Sequence, residues 1–217
     1  AGRDQRLVHV QADGEAALDM GEVHIATGEE GQPRPFRCLS NRGLLAAQLR
    51  QTIANFALLT ALPQKGDLLI LDELAHASMH EGARAGRAEF KLAAHNDVDA
   101  FEDAITRWRA EGGTGRAWIV VESLYSMDGD RAPMESLVAF ADRHEAFIVV
   151  DEAHATGVWG PEGRGFAAAF EGRDNIVALH TCGKALGASG ALVTGPGLLC
   201  DYLVNRCRPF IYSTAPS

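Results

Sequence analysis

Asp151, His154 and Lys184 are the residues whose types and spacing invite chemistry. The run Phe147-Ile148-Val149-Val150 is apolar, rich in β-branched types and stops abruptly at Asp151. That is the pattern of a buried parallel strand delivering a carboxylate to the carboxyl edge of a sheet, the edge where open α/β sheets bind ligands. His154 follows within Asp151-Glu152-Ala153-His154-Ala155-Thr156-Gly157. Lys184 comes after a second apolar run, Ile176 to Leu179, in the small-residue segment Gly183-Lys184-Ala185-Leu186-Gly187. A lysine amine among small residues is free to react with a carbonyl group.

This combination suits pyridoxal 5'-phosphate. The amine forms a Schiff base with the aldehyde, an aspartate facing the pyridine nitrogen favours its protonated form, and an imidazole can hydrogen-bond the phenolic oxygen. Two rival chemistries are weaker. A strand ending in Asp-Glu-Ala-His resembles the magnesium-binding box of helicase-type nucleoside triphosphatases, but these need an upstream phosphate loop, G-x-x-x-x-G-K-[ST]. The sequence has none: Gly183-Lys184 lies downstream, is followed by Ala185, and has Ala178 in place of the first glycine. His76 and His80 would share a helix face, yet Glu81 is not placed as in H-E-x-x-H and no third ligand is evident, so no metal is expected. Cys182, beside the lysine, reads as a small buried filler.

The elements that must position these residues follow from periodicity and punctuation. Ile53 to Leu62 reads as a helix ended by Pro63, and Lys65-Gly66-Asp67 turns the chain into a strand at Leu68 to Leu71, which Asp72 ends as Asp151 ends the later one. A charged segment runs to Phe90, and Asp97 is placed to cap an amphipathic helix over Val98 to Ala110. Ala117 to Val121 is the next strand, and Pro133 opens a helix to about His144. Ala191 to Thr194 reads as a strand and Leu198 to Arg206 as a helix. Further upstream, Val23-His24-Ile25 suggests a short strand and Gly43 to Leu59 a helix. The alternation predicts an α/β fold with a mostly parallel sheet sandwiched by helices.

With 217 residues, 47% of them hydrophobic, the chain can bury a substantial core. A net charge of −9 argues against nucleic acid and anionic membrane as partners, since both select basic faces. Cys38, Cys182, Cys200 and Cys207 form no CxxC pair or compact secreted framework, which favours reduced thiols and a cytoplasmic setting. No apolar run approaches the length of a membrane span.

Several motifs in order give the chain a family resemblance: His76-Ala77-Ser78, His95-Asn96-Asp97, Ser126-Met127-Asp128-Gly129-Asp130, the Asp151 to Gly157 block, Gly163-Arg164-Gly165, Thr181-Cys182-Gly183-Lys184, Ser189-Gly190-Ala191 and Ile211-Tyr212-Ser213-Thr214. Together they resemble the α-oxoamine synthases, fold-type I pyridoxal-phosphate enzymes that condense a small amino acid with an acyl thioester and release carbon dioxide. The resemblance implies that His76 stacks on the cofactor ring and that Ser126 and His154 contact its phenolic oxygen. It further implies that Asp151 pairs with the pyridinium nitrogen, Lys184 carries the cofactor and Thr181 holds its phosphate. Thr214 matches a position that reaches the phosphate of the neighbouring subunit, implying a homodimer with shared sites. The substrates implied are an amino acid and an acyl-CoA or acyl-carrier-protein thioester. Ala191 stands where glycine-using members carry a second glycine, which favours alanine.

The resemblance covers about Ala54 to Pro216. Before the Ala-Asn pair the family carries serine, glycine and an aromatic residue that help to seat the phosphate, and this chain has Arg50-Gln51-Thr52-Ile53. Residues 1–52 are therefore expected to lie outside the family pattern, from a shifted frame or a join. Residues 53–217 are expected to form an incomplete cofactor-binding large domain without the family's small carboxy-terminal domain. An inactive remnant that keeps the sheet, or another aminotransferase-like enzyme, is the alternative.

Overall fold

The computed structural model describes residues 51–170 and 172–212, together with the backbone of three strands before them. Two of these, β1 (Val23–Ala26) and β2 (Pro33–Phe36), form an antiparallel pair. The third, β3 (Arg42–Ala47), joins the main sheet. The other strands of that sheet are β4 (Leu68–Asp72), β5 (Glu89–Ala93), β6 (Ala117–Glu122), β7 (Phe147–Asp151), β8 (Ile176–Thr181) and β9 (Ala191–Pro196). Its helices are α1 (Gln51–Ala61), α2 (Ala77–Ala85), α3 (Val98–Ala110), α4 (Met134–Arg143), α5 (Gly197–Arg206) and the short α6 (Arg208–Ile211).

Strand order is β3-β9-β8-β7-β6-β4-β5. The five strands from β8 to β5 pair in parallel, whereas β9 runs antiparallel to both β8 and β3. Strands β4, β6 and β8 are buried at every position, because a parallel sheet needs helical cover on both faces. Alternate residues feed two cores. Leu69, Leu71, Val120, Val149 and Leu179 pack with Leu58 of α1 and Met79 of α2. Ile70, Ile119, Ile148 and Val150 pack with Phe101 and Ile105 of α3 and Phe140 of α4. From β4 the chain steps outward to β5, then crosses back to β6 and continues to β7 and β8. The direction of winding therefore reverses between β4 and β6, and the carboxyl ends of the strands border the resulting crevice.

The mostly parallel sheet between helices agrees with the sequence reading, as does the helix capped by Asp97, whose Oδ1 accepts from the Asp99 and Ala100 N–H groups at 3.0 and 3.2 Å. Two segments differ. Gly43 to Leu59 is not one helix: Arg42–Ala47 is a strand, and the helix begins at Gln51. Arg42 to Ala47 pairs residue by residue with Pro196 to Ala191, so a partner some 150 positions away overrides the helical propensity of Leu-Leu-Ala-Ala. The charged segment to Phe90 runs into the edge strand β5, which among the described residues pairs on one side only, and its Lys91 lies 3.5 Å from Glu89.

Asp67 pins the entrance to β4. Its Oδ2 accepts from the Gln64 N–H at 2.9 Å and the Trp118 indole at 3.1 Å, and its Oδ1 from the Arg116 N–H at 2.9 Å. Asp67→Ala strips three donors of a charged acceptor and is expected to lower unfolding free energy by about 3 kcal/mol in urea titrations.

Candidate active site

Asp151 ends β7 almost fully buried, at 1% exposure. A charge removed from water needs converging donors. The Asn55 and Gln51 side-chain amides, one turn apart on α1, both donate to Oδ2, at 2.7 and 2.8 Å. The Ala153 N–H donates to Oδ1 at 2.8 Å. The Asn55 amide also donates to Ser78 Oγ at 3.1 Å, and that hydroxyl lies 2.7 Å from His76 Nδ1. The same Nδ1 accepts from the Ser78 N–H as the N-cap of α2. A continuous polar chain thus links His76 to Asp151.

Lys184 approaches from a turn that closes on itself. The Cys182 N–H donates to the Gly190 carbonyl, the Ala188 N–H to the Cys182 carbonyl and the Gly187 N–H to the Lys184 carbonyl, at 2.9, 2.9 and 3.0 Å. Gly187 holds φ +60 and Gly157 φ +83, and a Cβ on Gly157 would stand 2.7 Å from Ala185 Cβ. Glycine at 157 therefore allows the loop after His154 to lie against the lysine turn. The result is a close contact, Lys184 Nζ to His154 Nε2 at 2.7 Å.

Electrostatics separate the roles of these groups. Desolvation lowers the Lys184 pKa, and the charges of Asp151 and Glu122 oppose that fall without cancelling it. His154 is pulled down by desolvation and then by the Lys184 charge, with His76 adding to this and Asp151 opposing it. A neutral His154 accepts at Nε2 from the lysine amine. Burial also raises the Cys182 thiol, the setting of a filler rather than a nucleophile.

Thr181 is buried at the end of β8, where its hydroxyl accepts from the Gly183 N–H at 3.4 Å. Ser126 is exposed in the loop after β6 and has no hydrogen bond to this cluster. That loop is tethered at its far end: His95 lies between Asp72 Oδ1 at 2.8 Å and Asp130 Oδ2 at 2.7 Å. Burial pulls the His95 imidazole down, and the bonds and charges of the two carboxylates outweigh it, leaving its pKa raised. Thr214 lies outside the described residues. Among the described residues, no group of three or more His, Cys, Asp or Glu side chains could hold a metal ion. Likewise, no helix is long and apolar enough to cross a membrane.

The donor set suits pyridoxal phosphate: an amine, a buried acid and an imidazole converge at one strand edge, and Glu122 Oε2 and Asn55 Oδ1 are buried there without a partner among the described residues. Comparison with known proteins agrees. Residues 52–217 match the model of aminotransferase class I and II. The chain belongs to the aminotransferase class I and II family. An 8-amino-7-oxononanoate synthase of Gluconacetobacter diazotrophicus is 46% identical over 209 residues, covering 91% of this chain and 52% of that protein. That alignment reaches into the first fifty residues. One of Chromobacterium violaceum is 43% identical over 164 residues, covering 75% and 41%. The chain thus spans about half, or less, of the relatives' length. Among solved structures, a serine palmitoyltransferase of S. paucimobilis with a bound PLP–myriocin aldimine matches at TM-score 0.72 and 32% identity, covering 80% of this chain and 43% of that one. The 8-amino-7-oxononanoate synthase of Francisella tularensis matches at 0.67 and 27%, covering 80% and 49%. The α-oxoamine synthase resemblance of the motifs therefore holds.

Sequence reasoning passed over Glu122, which ends β6 in register with Asp151. Its signal was present, since an apolar strand stops there at a carboxylate as it does at Asp72 and Asp151. Burial first, and the Asp151 charge second, push the Glu122 carboxyl up to about 7, against the His76 backbone N–H and the Lys184 charge. Such a group holds a proton in the folded state that the unfolded chain has lost, between its ordinary range and about pH 7. Its contribution to stability therefore falls as pH rises through that window. Glu122→Gln has no proton to lose, so its Tm relative to the native chain is expected to improve between about pH 5 and about pH 8 in melts across that range.

Proposed function

We propose that this chain carries the cofactor site of an α-oxoamine synthase that condenses a small amino acid, alanine by preference, with an acyl thioester and releases carbon dioxide. The closest reading is the 8-amino-7-oxononanoate synthase reaction of biotin synthesis. The observation that carries this proposal is the 2.7 Å approach of the Lys184 amine to His154 at the strand edge that also holds Asp151. The names of relatives at 43 and 46% identity support it.

Pyridoxal phosphate supplies an aldehyde that captures amines and a ring that draws electrons from the adjacent carbon. The protein's own groups do the rest. Asp151, held by α1 and the Ala153 N–H, presents negative charge to a ring nitrogen and favours its protonated form. Lys184, below the ordinary lysine range, carries a neutral fraction able to take a proton from the substrate α-carbon. His154 Nε2 orients that amine, and His154 and Ser126 would hold the phenolic oxygen of the cofactor. His76, its ring fixed by capping α2, offers a face for stacking. Thr181 and, from a second copy of the chain, Thr214 would secure the phosphate, which makes a homodimer the working assembly. The acyl donor is an acyl-CoA or acyl-carrier-protein thioester.

Addition of pyridoxal phosphate to the purified chain is expected to produce a visible absorption band that borohydride bleaches, and Lys184→Ala is expected to show none. His154→Ala should keep the band and lower carbon dioxide release from alanine and acyl-CoA by about 100-fold. A native chain without the band would favour the remnant reading.

A further inference from the structure

The contact between Gln51 and Asp151 is made by a residue just outside the family match, which begins at residue 52. Gln51 is the first residue of α1, and Asn55 follows one turn later on the same face, so both amides reach the same oxygen. A carboxylate oxygen offers about two lone-pair positions. Oδ2 of Asp151 has both filled, at 2.7 and 2.8 Å, and Oδ1 is turned to the chain's own backbone at Ala153. A further N–H donor at Oδ2 must therefore displace one of the two amides.

The two amides differ in how firmly they are held. Asn55 is 1% exposed, inside the helix, and its Nδ2 is shared with Ser78 Oγ. Gln51 is only half-buried and sits in the first turn, where the helix N–H groups lack intrahelical partners and opening costs least. It also has the longer, freer side chain.

We propose that Gln51 is a positioning residue that competes with the cofactor: its side-chain amide occupies Asp151 Oδ2 in the empty protein and yields that oxygen to a ring N–H when pyridoxal phosphate binds. The empty site thereby avoids an under-bonded buried carboxylate, and cofactor affinity is reduced by the strength of the displaced bond. The proposal rests on the cofactor reading above, and its test separates the two.

Pyridoxal phosphate is titrated into the native chain and into Gln51→Met, which keeps the length of the side chain and removes the amide, with Gln51→Ala as a second variant. The dissociation constant is read from tryptophan fluorescence, and Tm is read with and without cofactor. The Gln51→Met dissociation constant is expected to fall about five-fold, the effect of one net hydrogen bond. Its cofactor-free Tm should fall below that of the native chain, and the Tm rise on binding should be larger. A residue that merely braces the site would give the opposite sign, with weaker binding in both variants. Native binding with no tightening in either variant overturns this inference and leaves the cofactor reading standing. Binding by neither native chain nor variants overturns both. Binding by the variants alone supports both.

Discussion

A carboxylate buried at the end of a central strand is stable only if the fold brings donors to it, and at Asp151 that requirement organises the surroundings. Its donors come from α1, which must cross the carboxyl end of β7 with Gln51 and Asn55 facing inward, and from the turn at Ala153. Packing of Leu58 and Leu59 into the core beneath fixes that crossing. The same negative charge acts on Lys184, on His154 and on Glu122. Moving α1 outward would leave a charge without its donors in a low-dielectric interior, a loss of several kcal/mol by the usual cost of breaking a buried ionic contact.

Two carboxyl groups on paired strand ends cannot both ionise cheaply, and donor supply decides between them. Asp151 has three donors, whereas Glu122 Oε2 has none among the described residues. The proton therefore settles on Glu122, whose pKa rises to about 7. Lys184 and His154 form a second close pair, 2.7 Å apart: desolvation moves both pKa values down, and the Lys184 charge lowers that of His154 further.

Much of this was legible in the sequence, because strand ends are written locally. Four β-branched or aromatic residues followed by an acid gave β7 and Asp151, and Asp97 before an amphipathic run gave α3 and its cap. The lysine turn was legible from its glycines. What was not legible depends on partners distant in sequence. Arg42–Ala47 is a strand only because β9 lies beside it. Gln51, noted only as a departure from the family pattern, meets Asp151 one hundred positions away, and no local periodicity encodes that contact. Ser126 carries the motif but stands exposed, because its loop is anchored through Asp130 and His95 rather than through Ser126 itself.

The difference between Asp72 and Asp151 shows why similar strand ends acquire different tasks. Both are buried acids closing parallel strands. Asp72 accepts from the Leu74 and Asn96 backbone N–H groups and from His95, so its donors are mostly backbone and its position braces two loops. Asp151 takes its two Oδ2 donors from side chains of a neighbouring helix. Backbone donors are fixed by the fold, whereas a side-chain amide can rotate away and return a charged oxygen to an incoming partner. A carboxylate held by backbone is committed to structure; one held by exchangeable side chains keeps its charge available to a ligand. That distinction separates β7 from β4, although the two end alike in the sequence.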